Sequence, residues 1–294
     1  MRALMIASLS IGMFVSGCSA GRGDDAGNLH GGGGDGGLDP TGDGGGFNPG
    51  DPPADNSDCD EDSKQIFVVT LENLLYRFEP VALKMVKIGN LSCPASPGST
   101  PFSMAVDRKG VAWVNYTDGG VFNVSTKDAA CTPTGYKPGQ AGFKTFGMAF
   151  VAEKGKPESL YVSDYDQKGI GRIDTAALKL SFVGSYGAMG PAELTGTGAA
   201  RMFALFSTST SVGELDRTSA KLLGKKPVPG LTVGIAFAFA HWGGDFWLFT
   251  SNLPGSTTIT QFAYDTGTAT VKGKVPFTVV GAGVSTCAPT ARPK

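Results

Sequence analysis

Acidic, amide and aromatic residues occur together in several short polar segments that each follow an apolar one. Carboxylate and amide groups form directed hydrogen bonds, and aromatic rings offer flat apolar surfaces, so the combination suits a sugar or a peptide. Binding residues concentrate in loops on rigid scaffolds, although simple solvated turns have the same composition. The candidate ligand-binding residues are Glu72, Asn73, Tyr116, Asp118, Asp164, Tyr165, Asp166 and Asn252, together with Glu193 at the mouth of another apolar segment.

The sequence contains few residues suited to metal binding or nucleophilic catalysis. The globular part has one histidine, His241, whereas zinc sites commonly use several, and a Ser-His-Asp triad would have to use this one. Gly-x-Ser-x-Gly, Walker A and dinucleotide-binding motifs are absent from the sequence. We predict no catalytic residue, metal site or cofactor, and we interpret His241 as a structural or solvated residue in a turn that follows an apolar strand.

The charges are balanced, with 25 Lys and Arg residues against 26 Asp and Glu residues. Proteins that bind nucleic acid usually present a basic surface to the phosphate backbone. The composition therefore predicts no nucleic-acid partner.

The N-terminus has the pattern of an export signal. Two residues, Met1-Arg2, precede an apolar run from Ala3 to Val15, which is shorter than the roughly 20 residues that span a bilayer. Val15-Ser16-Gly17-Cys18 resembles a bacterial lipobox. The resemblance implies a signal peptide over residues 1–17, acylation of Cys18 with fatty acids such as palmitate, and membrane attachment in the cell envelope. An ordinary secretory signal is the alternative.

The residue after the lipobox cysteine bears on the membrane. It is Ser19 rather than the aspartate that resembles an inner-membrane retention signal. The resemblance therefore favours the outer membrane, with the domain facing the periplasm or the surface.

Residues 18–58 are predicted to form a disordered tether. From Ser19 to Asp58 the chain contains 14 Gly, 8 Asp and 4 Pro residues, which leaves too little apolar surface to offset the entropy of ordering. A Gly-rich coil of this length reaches about 35 Å. The stretch from His30 to Asp35 is faintly like a Gly/Asp calcium repeat, but its spacing departs from that pattern.

The remaining domain, residues 59–294, repeats an apolar segment with a central aromatic residue. The central residues are 46, 48, 42 and 44 positions apart, and alternating segments typical of strands follow each of them. A period of 40 to 50 residues with four strands is that of a β-propeller blade. The central residues are Phe67, Trp113, Tyr161, Phe203 and Trp247.

A set of segments rich in small residues is predicted to form the inner strands, because five strands converge on a narrow axis. The first aromatic segment has no such strand before it, and the last small-residue segment, 278–285, has no aromatic strand after it. Joined, the two chain ends complete a fifth blade. We predict an all-β, five-bladed β-propeller closed by its terminal strands, with a β-sandwich or a six-bladed ring as alternatives. The small residues aligned at one position are Ser103, Gly147, Thr195, Gly234 and Gly281.

Four cysteines remain once Cys18 is assigned to the lipid, and they allow three pairings. Ring closure favours Cys59 with Cys287, because they flank the two strands that are expected to meet. Cys93 and Cys131 would then join neighbouring blades. An oxidising compartment favours these bonds over free thiols.

The whole chain resembles bacterial propeller lipoproteins without an assigned activity. The resemblance rests on the lipobox, the tether, Thr-Pro-Phe-Ser-Met-Ala-Val-Asp at 100–107 and Trp-Gly-Gly-Asp-Phe-Trp at 242–247. It implies a binding or scaffold module for a glycan, a peptide or an envelope protein. The alternatives are a structural envelope protein and a carbohydrate-active hydrolase, which needs two carboxyls roughly 5 to 10 Å apart. Only Glu193 is expected near an inner strand, so the sequence leans away from an enzyme.

Overall fold

The repeated aromatic segments form the second strands of five four-stranded antiparallel sheets. The computed structural model describes residues 58–153 and 156–292, and these sheets form its architecture. Inner strands of neighbouring sheets pack against one another around a ring, so each sheet is a propeller blade. The prediction of an all-β, five-bladed β-propeller is confirmed.

Blades 1 and 2 are described here from the inside of the ring outwards. Blade 1 consists of β20 (Val279–Gly283), β1 (Ile66–Thr70), β2 (Leu74–Glu79) and β3 (Lys84–Asn90). Blade 2 consists of β4 (Pro101–Val106), β5 (Val111–Tyr116), β6 (Val121–Ser125) and β7 (Cys131–Pro133).

Blades 3 to 5 follow the same order, and two short 3-10 helices cover Glu61–Lys64 and Gln140–Gly142. Blade 3 consists of β8 (Phe146–Glu153), β9 (Lys156–Asp164), β10 (Ile170–Asp174) and β11 (Lys179–Gly184). Blade 4 consists of β12 (Ala192–Gly196), β13 (Met202–Phe206), β14 (Ser211–Leu215) and β15 (Leu222–Pro227). Blade 5 consists of β16 (Ala236–Trp242), β17 (Asp245–Leu253), β18 (Ser256–Ala263) and β19 (Thr268–Val275).

The core consists of five apolar clusters, one between each pair of neighbouring blades. The central aromatic of each blade belongs to the cluster that the blade shares with the next one: Phe67 packs between blades 1 and 2, and Trp247 between blades 5 and 1. All five central aromatics are at least nine-tenths buried. A large ring at this position fills the wedge between two twisted sheets, which explains why the sequence repeats it.

The ring closes through the chain ends. Strand β1 pairs with β20, with Phe67 opposite Gly283, and the Cys59–Cys287 disulfide joins the segments beside these strands over a Cα–Cα distance of 5.9 Å. The second disulfide, Cys93–Cys131, ties the connection between blades 1 and 2 to the outer strand of blade 2. Both are the pairs that the closure argument favours.

The inner-strand alignment predicted from the sequence is wrong in two blades. In blades 1 to 3 the predicted small residue lies two positions before the residue that pairs with the central aromatic, whereas Thr195 itself pairs with Phe203. Thr195 therefore lies two residues further along its strand than the alignment assumed. The residues that pair with the five central aromatics are Gly283, Ala105, Ala149, Thr195 and Ala240. Gly234 lies before β16 rather than inside it. In blades 4 and 5, the residues at the same level as Ser103 and Gly147 are Glu193 and Ala238.

The predicted signal peptide, Cys18 and the tether up to residue 57 lie outside the described residues. The chain divides into two units, Met1–Thr41 and Gly42–Lys294, and every described residue belongs to the second. Within residues 58–153 and 156–292, no helix is long and apolar enough to cross a membrane.

Candidate functional site

A cavity of about 540 Å³ opens at the end of the ring where the inner strands begin. Its walls come from the turns after the second strands and from the segments that enter the inner strands, two kinds of loop that the sequence analysis places on one face. Every blade contributes to the lining, with examples in Leu71, Phe102, Tyr165, Thr208 and Phe237 from blades 1 to 5. The cavity therefore exists only in the closed ring.

Three aromatic rings form one continuous apolar surface in the cavity. Tyr165 lies between the other two: its ring meets Phe102 edge-on at 4.5 Å between centroids and stacks on Phe237 at 5.9 Å. Such arrangements stabilise aromatic pairs and fix the direction in which each ring faces. The hydroxyl group of Tyr165 points away from this surface, towards a buried carboxyl.

That carboxyl belongs to Glu193, which is 1% exposed. The Tyr165 hydroxyl donates to Oε1 at 3.0 Å, and the Ser103 hydroxyl donates to Oε2 at 2.6 Å. Ser103 and Glu193 belong to blades 2 and 4, which are not neighbours, so this network spans the ring opening. No Lys, Arg or His side chain of the described residues forms an ion pair with Glu193.

Burial governs the ionisation of this group. It raises the pKa of Glu193 to about 8, while the hydrogen bonds from Ser103 and Tyr165 act in the opposite direction. Burial and the neighbouring Glu193 also raise the pKa of Tyr165 well above its usual value. Burial therefore favours the protonated form of the carboxyl, and the tyrosine keeps its proton.

Small residues in the neighbouring strands make room for Glu193. At its level the other four inner strands carry Gly281, Ser103, Gly147 and Ala238. A Cβ on Gly147 would collide with the Ala192 carbonyl oxygen and lie 2.7 Å from the Glu193 Cα, so glycine is what permits this approach. The glutamate side chain thus occupies the space that four small residues leave near the axis.

The rim of the cavity is apolar and hydroxyl-bearing. Ile235 is 58% exposed and Leu71 is 38% exposed, which is unusual for such large apolar side chains. Thr100, Thr117 and Ser207 add hydroxyl groups. None of the described residues that line the cavity carries a charge.

The structure brings two of the predicted candidates, Tyr165 and Glu193, together at the cavity. Asp164 is buried, and its Oδ2 accepts from the Lys168 backbone N–H at 3.1 Å. Asp166 is exposed and lies 3.5 Å from the Lys168 ammonium. These two carboxylates therefore shape the turn that carries Tyr165, and the Lys168 ammonium offsets part of their charge.

The other candidates surround the cavity rather than line it. Tyr116 is buried and its hydroxyl lies 3.4 Å from Asn73 Oδ1, while Asp118 accepts from the Ser96 and Gly120 N–H groups. Glu72 accepts from the Thr278 N–H at 3.1 Å. Asn252 is exposed, next to Gly234.

Sequence reasoning missed several lining residues, among them Phe102, Ile235 and Phe237. A signal was present, because a phenylalanine precedes the small inner-strand residue in Phe102-Ser103, Phe146-Gly147 and Phe237-Ala238. The signal is ambiguous, since Phe146 is fully buried in the core.

His241 lies inside β16 and is fully buried, so its predicted place in a turn is wrong. The strand extends to Trp242, and the turn follows it. The His241 N–H donates to Thr195 Oγ1 at 3.1 Å, and burial lowers the pKa of His241 to about 3. A neutral, enclosed imidazole here fits the structural interpretation.

A second glutamate, half-buried near the start of β9, lies at the opposite end of the ring. Glu158 accepts from the Arg108 N–H at 2.9 Å and from the Thr286 hydroxyl at 2.8 Å. Burial raises the pKa of Glu158 to about 7, and the charge of Arg108 opposes that rise. The Arg108 guanidinium also pairs with Asp58 at 2.6 Å. The chain ends thus cover this end of the ring.

The chain matches no model of a known protein family and no curated protein. A solved nidogen–laminin complex aligns with a TM-score of 0.52 at 9% identity, over 74% of this chain and 97% of the solved one. Virginiamycin B lyase from Staphylococcus aureus aligns with a TM-score of 0.43 at 12% identity, over 70% and 68%. Regucalcin from Agrobacterium tumefaciens, a calcium-binding protein, aligns at 0.44 and 12% identity, over 76% and 75%. These likenesses concern the fold alone.

Proposed function

We propose that this protein is a lipid-anchored binding module of the cell envelope, and that its cavity holds an apolar segment of a peptide or protein partner. The observation that carries the proposal is the cavity itself, which all five blades line with apolar, aromatic and hydroxyl groups. Concave, mostly apolar sites with a few polar groups are typical of ligand binding. Exposed apolar side chains at the rim, Leu71 and Ile235, extend the contact surface.

A peptide fits this lining better than a glycan. Sugar recognition depends on carboxylate and amide groups that pair with several hydroxyls, and the described lining supplies hydroxyl and backbone groups instead. Apolar side chains of a partner would be buried at roughly 25 cal/mol for each Å² removed from water.

The proposed anchor rests on the N-terminal sequence. The lipobox resemblance at Cys18 supports lipid attachment, and Ser19 supports the outer membrane as its place.

Partner capture with the full-length chain in mild detergent tests the cavity. Ile235 lies on the rim, and Val271 is a matched control because it is 64% exposed on the outer strand of the same blade. We expect Ile235→Asn to weaken capture of envelope peptides at least tenfold and Val271→Asn to leave it unchanged. Equal capture by both variants, or none by the native protein, would refute the cavity as the binding site.

Lipid labelling tests the anchor separately. The native chain should incorporate a labelled palmitate analogue and sediment with membranes, whereas Cys18→Ala should lose the label and become soluble. A variant that keeps the label would contradict lipidation at Cys18.

A further inference from the structure

The three aromatic rings and Glu193 together indicate which kind of side chain the cavity binds. We propose that the cavity is selective for a basic side chain of the partner, with an aliphatic stem that ends in an ammonium or guanidinium group. The inference rests on the proposed function, which supplies the apolar contact, and it names the group that the cavity selects. It is carried by the position of a buried carboxyl directly behind the aromatic surface.

The aromatic surface suits both parts of such a side chain. Phe102, Tyr165 and Phe237 cover an aliphatic stem, and their ring faces attract a cation through their negative quadrupoles. Lysine and arginine have this shape, because their methylene stems bury easily while their heads stay polar. A purely apolar ligand would use the rings but not the carboxyl behind them.

The carboxyl has hydrogen-bond donors but no positive charge beside it. Glu193 accepts from two hydroxyls, and no cation of the described residues pairs with it. The ionised form of a buried carboxyl is normally stabilised by a paired cation, and in this proposal the ligand supplies it. Tyr165 separates the two groups, because its ring lines the cavity while its hydroxyl donates to Oε1 at 3.0 Å on the far side.

The opposite end of the ring serves as an internal reference. Glu158 is half-buried near the start of β9, where it lines a separate cavity, and Arg108 lies beside it, so this carboxyl already has a cation nearby.

A cation next to Glu193 favours its charged form, so binding and ionisation are linked. The groups that face this region are the Tyr165 hydroxyl, Tyr186 and Asp164 behind it, and His241 on β16. Burial and Glu193 raise the pKa of Tyr165 well above its usual value, and burial lowers the pKa of His241 to about 3, so neither group changes charge between about pH 6 and 9. Lysine also stays charged over most of this range.

Two small probes test the inference by nuclear magnetic resonance titration of the full-length chain. They are Nα-acetyl-lysine amide and Nα-acetyl-norleucine amide, which share an aliphatic stem and differ in the ammonium group. At about pH 9 we expect the lysine probe to bind at least tenfold more tightly, a difference of about 1.4 kcal/mol. The preference should shrink towards pH 6 as Glu193 is protonated.

Variants assign the preference to the carboxyl. Glu193→Gln should bind both probes equally at either pH, whereas Glu158→Gln should behave as the native protein does. The pH series on the native protein provides the same test if Glu193→Gln does not fold.

Each outcome is decisive for the inference. Equal affinity of the two probes would overturn cation selection and leave apolar binding in the cavity intact. Binding of neither probe would also overturn it, and partner capture with Ile235→Asn would then judge the proposed function independently. A lysine preference that survives in Glu193→Gln would show that another group selects the cation.

Discussion

Glu193 and Glu158 lie at opposite ends of the inner strands, and the chain surrounds them in different ways. Glu158 has the Arg108 N–H and the Thr286 hydroxyl as donors, a guanidinium nearby and the two chain ends around it. Glu193 has two hydroxyl donors, no cation among the described residues and a cavity beyond Tyr165. The chain ends therefore lie at one end of the ring, whereas the other end keeps an open cavity.

This difference separates stability from binding. At the closed end, the disulfide, the β1–β20 pairing and the Asp58–Arg108 ion pair all join parts that are distant in the sequence. At the open end, aromatic rings and exposed apolar groups remain available. A mutation at the closed end should mainly affect folding, and one at the open end should mainly affect the ligand.

The largest effect is expected from breaking ring closure. Cys59 and Cys287 are 228 positions apart, and loop-closure entropy gives a loss of about 5 kcal/mol for the double serine variant. The Cys93–Cys131 bond spans 38 positions, so its double serine variant should lose about 4 kcal/mol. Denaturant unfolding under oxidising conditions measures both. A smaller loss for the closure variant than for its control would contradict this account of the closed end.

A smaller effect is expected from the two glutamates and depends on pH. Each folded-state pKa lies above the ordinary glutamate value of 4.5, so the protonated carboxyl stabilises the fold below about pH 4.5. That stabilisation is lost as the pH rises to about 7 for Glu158 and about 8 for Glu193. Each unit between folded and unfolded pKa corresponds to about 1.4 kcal/mol.

Unfolding free energies measured from about pH 5 to 9 should therefore fall in the native protein. Glu193→Gln should remove the part of the decline that extends to the highest pH, and Glu158→Gln should remove a part that ends earlier. Identical pH profiles for the native protein and Glu193→Gln would mean that this carboxyl does not titrate as its burial implies.

The smallest effect is expected from the hydroxyl donors. Ser103→Ala and Thr286→Val each remove one hydrogen bond to a buried carboxyl, at a cost of about 1 kcal/mol. The cost of Ser103→Ala should grow above the pKa of Glu193, because the ionised carboxyl depends more on its donors. Ser181→Ala on an exposed outer strand is the control. If the free-energy cost of Ser103→Ala does not change with pH, the ionised Glu193 does not depend on its donors as expected here.

The sequence predicted the ring well because its signals are large and repeated. A central aromatic in each blade fills the space between blades, and the incomplete repeats at the chain ends reveal the strand that closes the ring. The disulfide pairing follows from that closure.

The inner strands were harder to align because strands repeat every two residues. The predicted positions in blades 4 and 5, Thr195 and Gly234, are two and four residues away from Glu193 and Ala238. An even shift keeps each side chain on the same face of the sheet, so alternation cannot detect it. The shift placed Glu193 outside the set of small residues, and the network with Ser103 and Tyr165 depends on contacts between blades that no local pattern records.

Closure by the chain ends also sets the order in which this molecule is completed during its synthesis. Strand β1 is the first of the described strands to be synthesised, yet its inner neighbour β20 is the last of them. Until then β1 keeps an unpaired edge that invites association with other chains. We expect a truncated or clipped chain to lose the whole ring rather than one strand, so that proteases and chaperones can distinguish finished molecules from unfinished ones.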